Sequence, residues 1–195
     1  MKKVLLLLAE GFEMYEASAF IDVIGWNLID GDGTTQLFSC ALKKEIGTSF
    51  SQRFIVDFLI DEIDVIDYDA LAIPGGFDEF HFYKHAYDEK FLELIRKFEN
   101  KNKTIASICV GSLPIGKSGI LSDKKGTTYG KKPIRRETLK SFGVHVVDEP
   151  IVIDGNIITS WDPSTAVDVA FDLLESLTSN ENANYVRSIM GFDRV

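Results

Sequence analysis

Apolar residues along the chain fall into two patterns that alternate from the start. Residues 4–9 form a continuous apolar run, which is typical of a strand buried on both faces of a parallel sheet. Residues 13–29 follow with apolar side chains on one helical stripe, and the turn residues 31–33 end that helix. The chain therefore begins with a strand and a helix, the alternation from which α/β folds are built.

The same alternation continues along the rest of the chain. Further strands are predicted at residues 36–42, 70–73, 104–108, 144–147 and 151–158, the last with a hairpin turn at 154–156. Further helices are predicted at residues 91–98, 111–117 and 165–177, the last with Asp162 as N-cap and Pro163 in its first turn, and a short docking helix at 185–192. We expect a three-layer α/β sandwich, flavodoxin-like, with a mainly parallel twisted sheet between helices.

Length and composition indicate a single domain over residues 1–195. This length suffices to bury a substantial core, 45% of the residues are hydrophobic and 26% are charged, and no repeat or flexible linker interrupts the chain. The formal net charge is −9. Nucleic acid and anionic membranes are therefore disfavoured as partners, because both carry negative charge.

The cysteines and the first residues of the chain indicate the cellular compartment of the protein. The only two cysteines, Cys40 and Cys109, lie far apart in sequence, which is no disulfide framework and suits a reducing compartment. The apolar run at residues 4–9 is too short for a secretory signal, and no stretch is long and apolar enough to span a bilayer. We therefore predict a cytoplasmic protein.

Cys109 lies where a predicted strand runs directly into a predicted helix. Ser107 and Gly111 flank it two positions away on either side, as glycines flank the nucleophile of a G-x-S-x-G elbow. Pro114 fits the first turn of the helix, where its missing N–H would have no partner. A thiol at a helix N-terminus is expected to have a lowered pKa. An ordinary buried cysteine is the alternative, but this context favours a nucleophile.

Two further segments could serve such a nucleophile. Gly75 and Gly76 follow a predicted strand, and their unhindered amides could face a developing oxyanion, although the same residues also form ordinary turns. Glu10, Glu13 and Glu16 follow the first strand. We assign Glu10 and Glu13 to an acidic first turn that favours the helix dipole.

Together these segments make the chain similar to the ThiJ/PfpI superfamily, which includes the parkinsonism-associated deglycase and has the class I glutamine amidotransferase-like fold. The likeness extends over essentially the whole chain. It rests on five motifs in the right order: Leu8-Ala9-Glu10-Gly11-Phe12-Glu13-Met14-Tyr15-Glu16, Ile73-Pro74-Gly75-Gly76, Ile108-Cys109-Val110-Gly111, Gly126-Thr127-Thr128-Tyr129 and Asp154-Gly155-Asn156-Ile157-Ile158-Thr159-Ser160.

The resemblance implies roles for individual residues. Cys109 would be the nucleophile, and Glu16 would be the buried acid that contacts its sulfur. The amides of Gly76 and Val110 would form the oxyanion site, and the protein would be a homodimer. No P-loop or dinucleotide fingerprint occurs in the chain, so we predict no cofactor.

Three departures from the family pattern limit the predicted activity. Val110 stands where peptidase-like members carry a histidine, and Tyr129 stands where glyoxalase- and deglycase-type members often carry one. Residues 162–164 read Asp-Pro-Ser where glutaminases have His-Pro-Glu. Tyr129, a possible pocket residue together with Gly75, is a poor base because phenols titrate near pH ~10. Peptidase and glutaminase activities are therefore disfavoured.

The three histidines are candidates for the missing base or for a metal site. His81 and His85 are four residues apart, a spacing that could hold a metal on a helix, but no third ligand accompanies them and we predict no metal site. Because both follow the Gly-Gly loop, His85 could reach the pocket as a substitute base. His145 falls in a strand pattern and is predicted to be structural.

These features leave two main functional hypotheses. The first is a cysteine-dependent lyase or hydrolase acting on a small electrophilic substrate, with glyoxalase-, deglycase- or isocyanide hydratase-like chemistry. The second is a redox-responsive stress protein in which Cys109 is oxidised to sulfinate and Glu16 stabilises it, without hydrolase turnover. A ligand-binding regulatory domain is a third alternative, but the chain has no DNA-binding segment.

Overall fold

A seven-stranded sheet forms the centre of the molecule, in the order β10-β11-β7-β6-β1-β2-β5. The computed structural model describes residues 1–193, so the last two residues of the predicted 1–195 domain lie outside it. Every neighbouring pair in the sheet is parallel except β10 and β11. The strands are β1 (Lys2–Leu7), β2 (Thr35–Ala41), β3 (Glu45–Gly47), β4 (Arg53–Ile55), β5 (Phe58–Leu59), β6 (Ala70–Ile73), β7 (Thr104–Ser107), β8 (Lys125–Gly126), β9 (His145–Val146), β10 (Ile151–Asp154) and β11 (Ile157–Ser160).

Helices cover both faces of this sheet. α1, α6 and α7 pack together in one layer, and the helices from α2 to α5 form the other. The predicted three-layer sandwich with a mainly parallel sheet is thereby confirmed. No helix within the described residues is both long and apolar enough to cross a membrane. The helices are α1 (Met14–Ile29), α2 (Phe82–Ala86), α3 (Glu89–Glu99), α4 (Ser112–Lys117), α5 (Pro133–Ser141), α6 (Ala166–Leu177) and α7 (Asn180–Ile189).

The central strands bring the predicted site residues to one edge of the sheet. β1 is a continuous apolar run because it lies between β2 and β6 and is covered on both faces, with Leu5 and Leu6 fully buried. Burying a side chain of this size contributes about 1.5–3 kcal/mol. Because β1, β6 and β7 are adjacent and parallel, the segments that follow them meet at their carboxyl ends.

Some elements differ from the sequence-based expectation. The β3–β4 hairpin was not predicted, since three-residue strands leave almost no periodicity to detect. α5 was not predicted either, because it is a polar surface helix in which only Leu139 is buried. The strand predicted at residues 144–147 is shortened to β9, which pairs with β8 outside the main sheet and leaves His145 exposed. The predicted cap is present: the Asp162 side chain accepts the Ser164 amide at 3.0 Å.

Candidate functional site

Cys109 lies at a sharp junction between β7 and the helix that follows it. β7 ends at Ser107, a single 3-10 turn spans Cys109–Gly111, and α4 begins at Ser112. Cys109 has φ = +56°, a left-handed conformation that costs on the order of 1–3 kcal/mol for a residue with a side chain. The predicted elbow geometry is therefore present, with backbone strain at the cysteine itself.

Close contacts hold the elbow in this conformation. A Cβ at Gly111 would lie 2.6 Å from the Ile73 carbonyl oxygen, so the approach of the elbow to β6 requires glycine. The hydroxyls of Ser112 and Thr128 both donate to the Cys109 carbonyl oxygen at 3.1 Å. These bonds fix the peptide that carries the thiol.

Glu16 brings a fully buried carboxyl to the elbow from the first turn of α1. Its Oε2 accepts the Gly75 amide at 2.5 Å, whereas its Oε1 has no hydrogen bond of normal geometry within the described residues. Burial raises the pKa of Glu16 well above its usual range, the charge of Glu13 raises it further, and the Gly75 amide and Cys109 thiol lower it in part. The titrations of Glu16 and the thiol are therefore linked, and the role of Glu16 as the acid at the sulfur stays a prediction.

The Cys109 thiol holds its proton more tightly than a free cysteine does. Burial raises its pKa, the Glu16 charge raises it further, and the Val110 amide offsets part of the effect. The prediction that a helix N-terminus lowers this pKa is wrong in the net direction, because Cys109 is only 7% exposed and the following α4 is six residues long. Since both pKa values are raised, the Cys109–Glu16 pair retains at least one proton at neutral pH.

Gly76 and Val110 line the same cavity as Cys109. Gly76 and Phe12 form an antiparallel bridge, and the residues on either side of them make its hydrogen bonds. The N–H of Gly76 therefore points away from the bridge. The Val110 amide interacts with the Cys109 sulfur. Both residues therefore border the cavity of the thiol, and the oxyanion role of their amides stays a prediction.

A cavity of about 160 Å³ opens next to the thiol. Ligand sites for drug-sized molecules span roughly 300–1,000 Å³, so this cavity suits a smaller compound. Cys109, Gly76, Val110 and Tyr129, four of the predicted site residues, all line it. Gly75, predicted as a possible pocket residue, is not among the lining residues, and its amide donates to the Glu16 carboxyl.

The histidines do not supply the missing base. His85 is buried away from the cavity lining, where its Nδ1 accepts the Glu10 amide at 3.4 Å, and burial followed by the Lys43 charge lowers its pKa. The suggestion that His85 reaches the pocket is therefore wrong, because α2 directs it toward Glu10. His81 precedes α2 in a left-handed conformation. Within residues 1–193 no group of three or more His, Cys, Asp or Glu side chains is arranged to hold a metal ion.

Several cavity residues were missed by sequence reasoning. Glu13, assigned to an ordinary first turn, lines the cavity, and burial raises its pKa. Its spacing of three from Glu16 was the available signal. Tyr83, Lys132 and Arg135 also line the cavity, and no local motif marks them. The remaining member of the acidic cluster, Glu10, accepts the Gly47 amide at 2.8 Å through Oε1.

The sequence profile of the DJ-1/PfpI family matches residues 2–176. The chain belongs to the DJ-1/PfpI family. An Arabidopsis thaliana relative, protein DJ-1 homolog A, is 30% identical over 97% of this chain, which spans only 46% of that protein. A deglycase of Thermococcus kodakarensis is 29% identical over 83% of this chain and 90% of its own length. The chain therefore spans less than half of the plant DJ-1/PfpI relative it matches.

Solved structures of DJ-1 proteins share the fold. The crystal structure of Drosophila melanogaster DJ-1beta superposes with a TM-score of 0.85 at 25% identity and covers 99% of both chains. The mainly parallel sheet and its flanking helices thus follow the DJ-1/PfpI arrangement from end to end.

Proposed function

We propose that this DJ-1/PfpI protein is a cysteine-dependent enzyme for small electrophilic carbonyl compounds, with glyoxalase- or deglycase-like chemistry. One observation carries the proposal: the strained Cys109 opens into a small cavity while its thiol interacts with the buried Glu16 carboxyl. Relatives named as deglycases support the same class of substrate. Hydration of an isocyanide is a second form of the same chemistry, because that carbon is also a small electrophile.

The first step would be addition of the thiol to a carbonyl group. The sulfur–carbon bond forms as the carbonyl π bond breaks, and the thiol proton passes through Glu16 to the substrate oxygen. The Gly76 and Val110 amides would donate to that oxygen as its charge develops. No external oxidant or cofactor is needed, since the product is a neutral hemithioacetal.

Later steps need a group that exchanges protons with the cavity. In the hemithioacetal of a 2-oxoaldehyde, a proton would move from the first carbon to the second, which converts the adduct into a thioester. Water would then hydrolyse this thioester, releasing a 2-hydroxy acid and the free thiol. Oxidation of one carbon balances reduction of the other. Glu13 is the candidate for this exchange, because it lines the cavity, interacts with Glu16 and has a raised pKa. It would transfer the proton in place of the absent histidine.

A redox role is the second candidate. The Glu16 carboxyl favours it, because it interacts with the thiol, its Oε1 makes no hydrogen bond of normal geometry within the described residues, and in the protonated form it could donate to a sulfinate oxygen. Each of two hydrogen peroxide molecules would transfer one oxygen atom to the sulfur and leave as water. In this case Cys109 would be consumed rather than regenerated.

Turnover assays distinguish the two candidates. Purified protein is incubated with methylglyoxal, glyoxal and a small isocyanide, with Cys109→Ser as the inactive variant and Cys40→Ser as the matched control. Consumption that Cys109→Ser abolishes and Cys40→Ser retains supports the enzyme, and Glu13→Gln is expected to slow it about 10- to 100-fold. No consumption of any substrate, together with stoichiometric sulfinate at Cys109 after peroxide, favours the redox role.

The proposal also covers assembly and location. We propose a homodimeric protein of the cytoplasm that acts as a single domain. The family resemblance supports the dimer, and two unpaired cysteines support a reducing compartment. Light scattering of the purified chain tests the dimer, since a monomeric mass at micromolar concentration contradicts it.

A further inference from the structure

A basic segment borders the cavity of a protein that is otherwise strongly acidic. Residues 131–136 read Lys-Lys-Pro-Ile-Arg-Arg in a chain with 30 acidic residues and a net charge of −9. Two of these residues, Lys132 and Arg135, line the cavity next to Cys109. They stand at the start of α5, which begins at Pro133. Two cationic side chains thus lie in the cavity lining beside the thiol, together with the carboxyls of Glu13, Asp78 and Glu79.

Arg135 differs from the other arginines in the described part of the chain. It is half-buried, yet it has no carboxylate within 4.0 Å among residues 1–193. Its guanidinium instead lies over the Tyr83 ring, 4.7 Å from the centroid. A guanidinium that faces a cavity without a carboxylate partner is suited to a carboxylate from a ligand. The other four arginines each pair with carboxylates: Arg53 with Glu45, Arg96 with Glu89 and Glu93, Arg136 with Asp148, and Arg187 with Asp168.

Tyr83 offers an unused donor at the same place. Its hydroxyl oxygen is buried and has no hydrogen-bond partner within the described residues. Burial raises the pKa of the phenol, the Arg135 charge lowers it in part, and charges on Tyr87, Cys109 and Asp78 raise it, so the hydroxyl lies within electrostatic range of both Arg135 and the thiol. Tyr83 therefore stays a neutral donor, and a buried hydroxyl without a partner indicates a missing ligand or water.

We propose that Arg135, Lys132 and the Tyr83 hydroxyl form an anion subsite beside Cys109, which selects small carbonyl compounds that carry one carboxylate. This inference rests on the proposed function and names its substrate class. Arg135 would bind the carboxylate, the Tyr83 hydroxyl would donate to it, and the reacting carbonyl would face the sulfur. Glu13, Asp78 and Glu79 also line the cavity and outnumber the two cations, so polyanions are disfavoured and a single carboxylate would bind through direct contact with Arg135.

Two alkylating agents of matched size test the subsite without any turnover. Iodoacetate and iodoacetamide react at the same carbon and differ only in a carboxylate or an amide. We expect the rate ratio of iodoacetate to iodoacetamide at Cys109 to exceed that of glutathione by about 10-fold, despite the net negative charge. Arg135→Gln should remove this preference, whereas Arg136→Gln, whose native side chain already pairs with Asp148, should keep it.

Aldehydes that add reversibly to the Cys109 thiol test the same subsite with a carbonyl as the reacting group. Glyoxylate, an aldehyde with one carboxylate, should protect Cys109 from iodoacetamide at about 10-fold lower concentration than glyoxal, and Tyr83→Phe should reduce that difference in part. Equal ratios in the wild type and Arg135→Gln, with equal protection by both aldehydes, overturn the subsite even where neutral carbonyls are turned over. A preserved anion preference in a protein without turnover leaves the subsite standing and rejects the proposed enzyme.

Discussion

The two cysteines are buried to a similar extent but differ in backbone conformation, in access to a cavity and in the groups that contact the thiol. Cys40 lies in β2, opposite Leu7 of β1, and is fully buried. Cys109 is nearly as buried, but it has a left-handed backbone, borders a cavity and interacts with Glu16. Burial raises the pKa of both thiols. The comparison teaches that access and partners, rather than a lowered pKa, distinguish the candidate nucleophile.

The largest expected difference is in alkylation. Cys109 should react with iodoacetamide at least ~100-fold faster than Cys40, because the Cys40 thiol becomes accessible only when the sheet opens locally. Mass spectrometry after brief labelling near neutral pH measures both rates. Urea sufficient to unfold the chain serves as the control and should make the rates similar. Equal labelling of the two thiols in the native protein contradicts the comparison.

A smaller effect is expected from the glycine behind the elbow. Gly111→Ala should destabilise the protein by about 1–3 kcal/mol and slow Cys109 alkylation, because the new Cβ would lie 2.6 Å from the Ile73 carbonyl oxygen. Gly25→Ala is the matched control in α1, where a Cβ has nothing within 4 Å, and should stabilise by about 0.5–1 kcal/mol. Urea denaturation gives both values, and two equal shifts would show that the elbow tolerates a side chain.

The pH dependence of stability tests the partner of Cys109. Burial and the Glu13 charge raise the folded-state pKa of Glu16 above its usual value of 4.5, so its protonated form favours folding. This contribution is fully present below pH 4.5 and is lost as pH rises through the folded-state pKa. Glu16→Gln keeps an acceptor for the Gly75 amide without the titration. The free energy of unfolding of Glu16→Gln should therefore increase relative to that of the wild type as pH rises.

Urea denaturation between pH 4 and pH 8 measures this difference. Glu149→Gln, at an exposed position, provides the matched control and should follow the wild type at every pH. A difference between Glu16→Gln and the wild type that stays constant with pH would mean that Glu16 titrates alike in the folded and unfolded chain.

The elbow could be predicted from sequence because its requirements are local. Ser107, Gly111 and Pro114 lie within seven residues of one another along the chain and together mark a strand-to-helix turn. The parallel sheet followed from apolar runs for the same reason. The rest of the cavity could not be predicted this way, because the fold brings Tyr83 on α2 and Arg135 on α5 to Cys109 from distant positions in the chain. Their pairing depends on α5, a polar helix with almost no apolar pattern.

The error over His85 has a similar origin. Its spacing from His81 is four residues, but His81 adopts φ = +68° and precedes α2, so the two side chains do not share a regular helical face. A left-handed residue before a five-residue helix leaves no clear trace in sequence. The position of His85 beside Glu10 therefore required the structure.

The last prediction is that Cys109, although more accessible than Cys40, does not catalyse amide hydrolysis. Hydrolysis of an amide needs a base for water and a proton donor for the leaving amine, each contributing about 10²–10⁴-fold. Val110 supplies neither, and His85 is turned away from the cavity. The proton exchange proposed for Glu13 concerns a small carbonyl adduct, and the cavity of about 160 Å³ has little space for a peptide. Purified protein should therefore release no more ammonia from glutamine, and cleave no more casein, than its Cys109→Ser variant. Activity that this variant loses would show that a thiol with a raised pKa and a carboxylate pair suffices for amide hydrolysis.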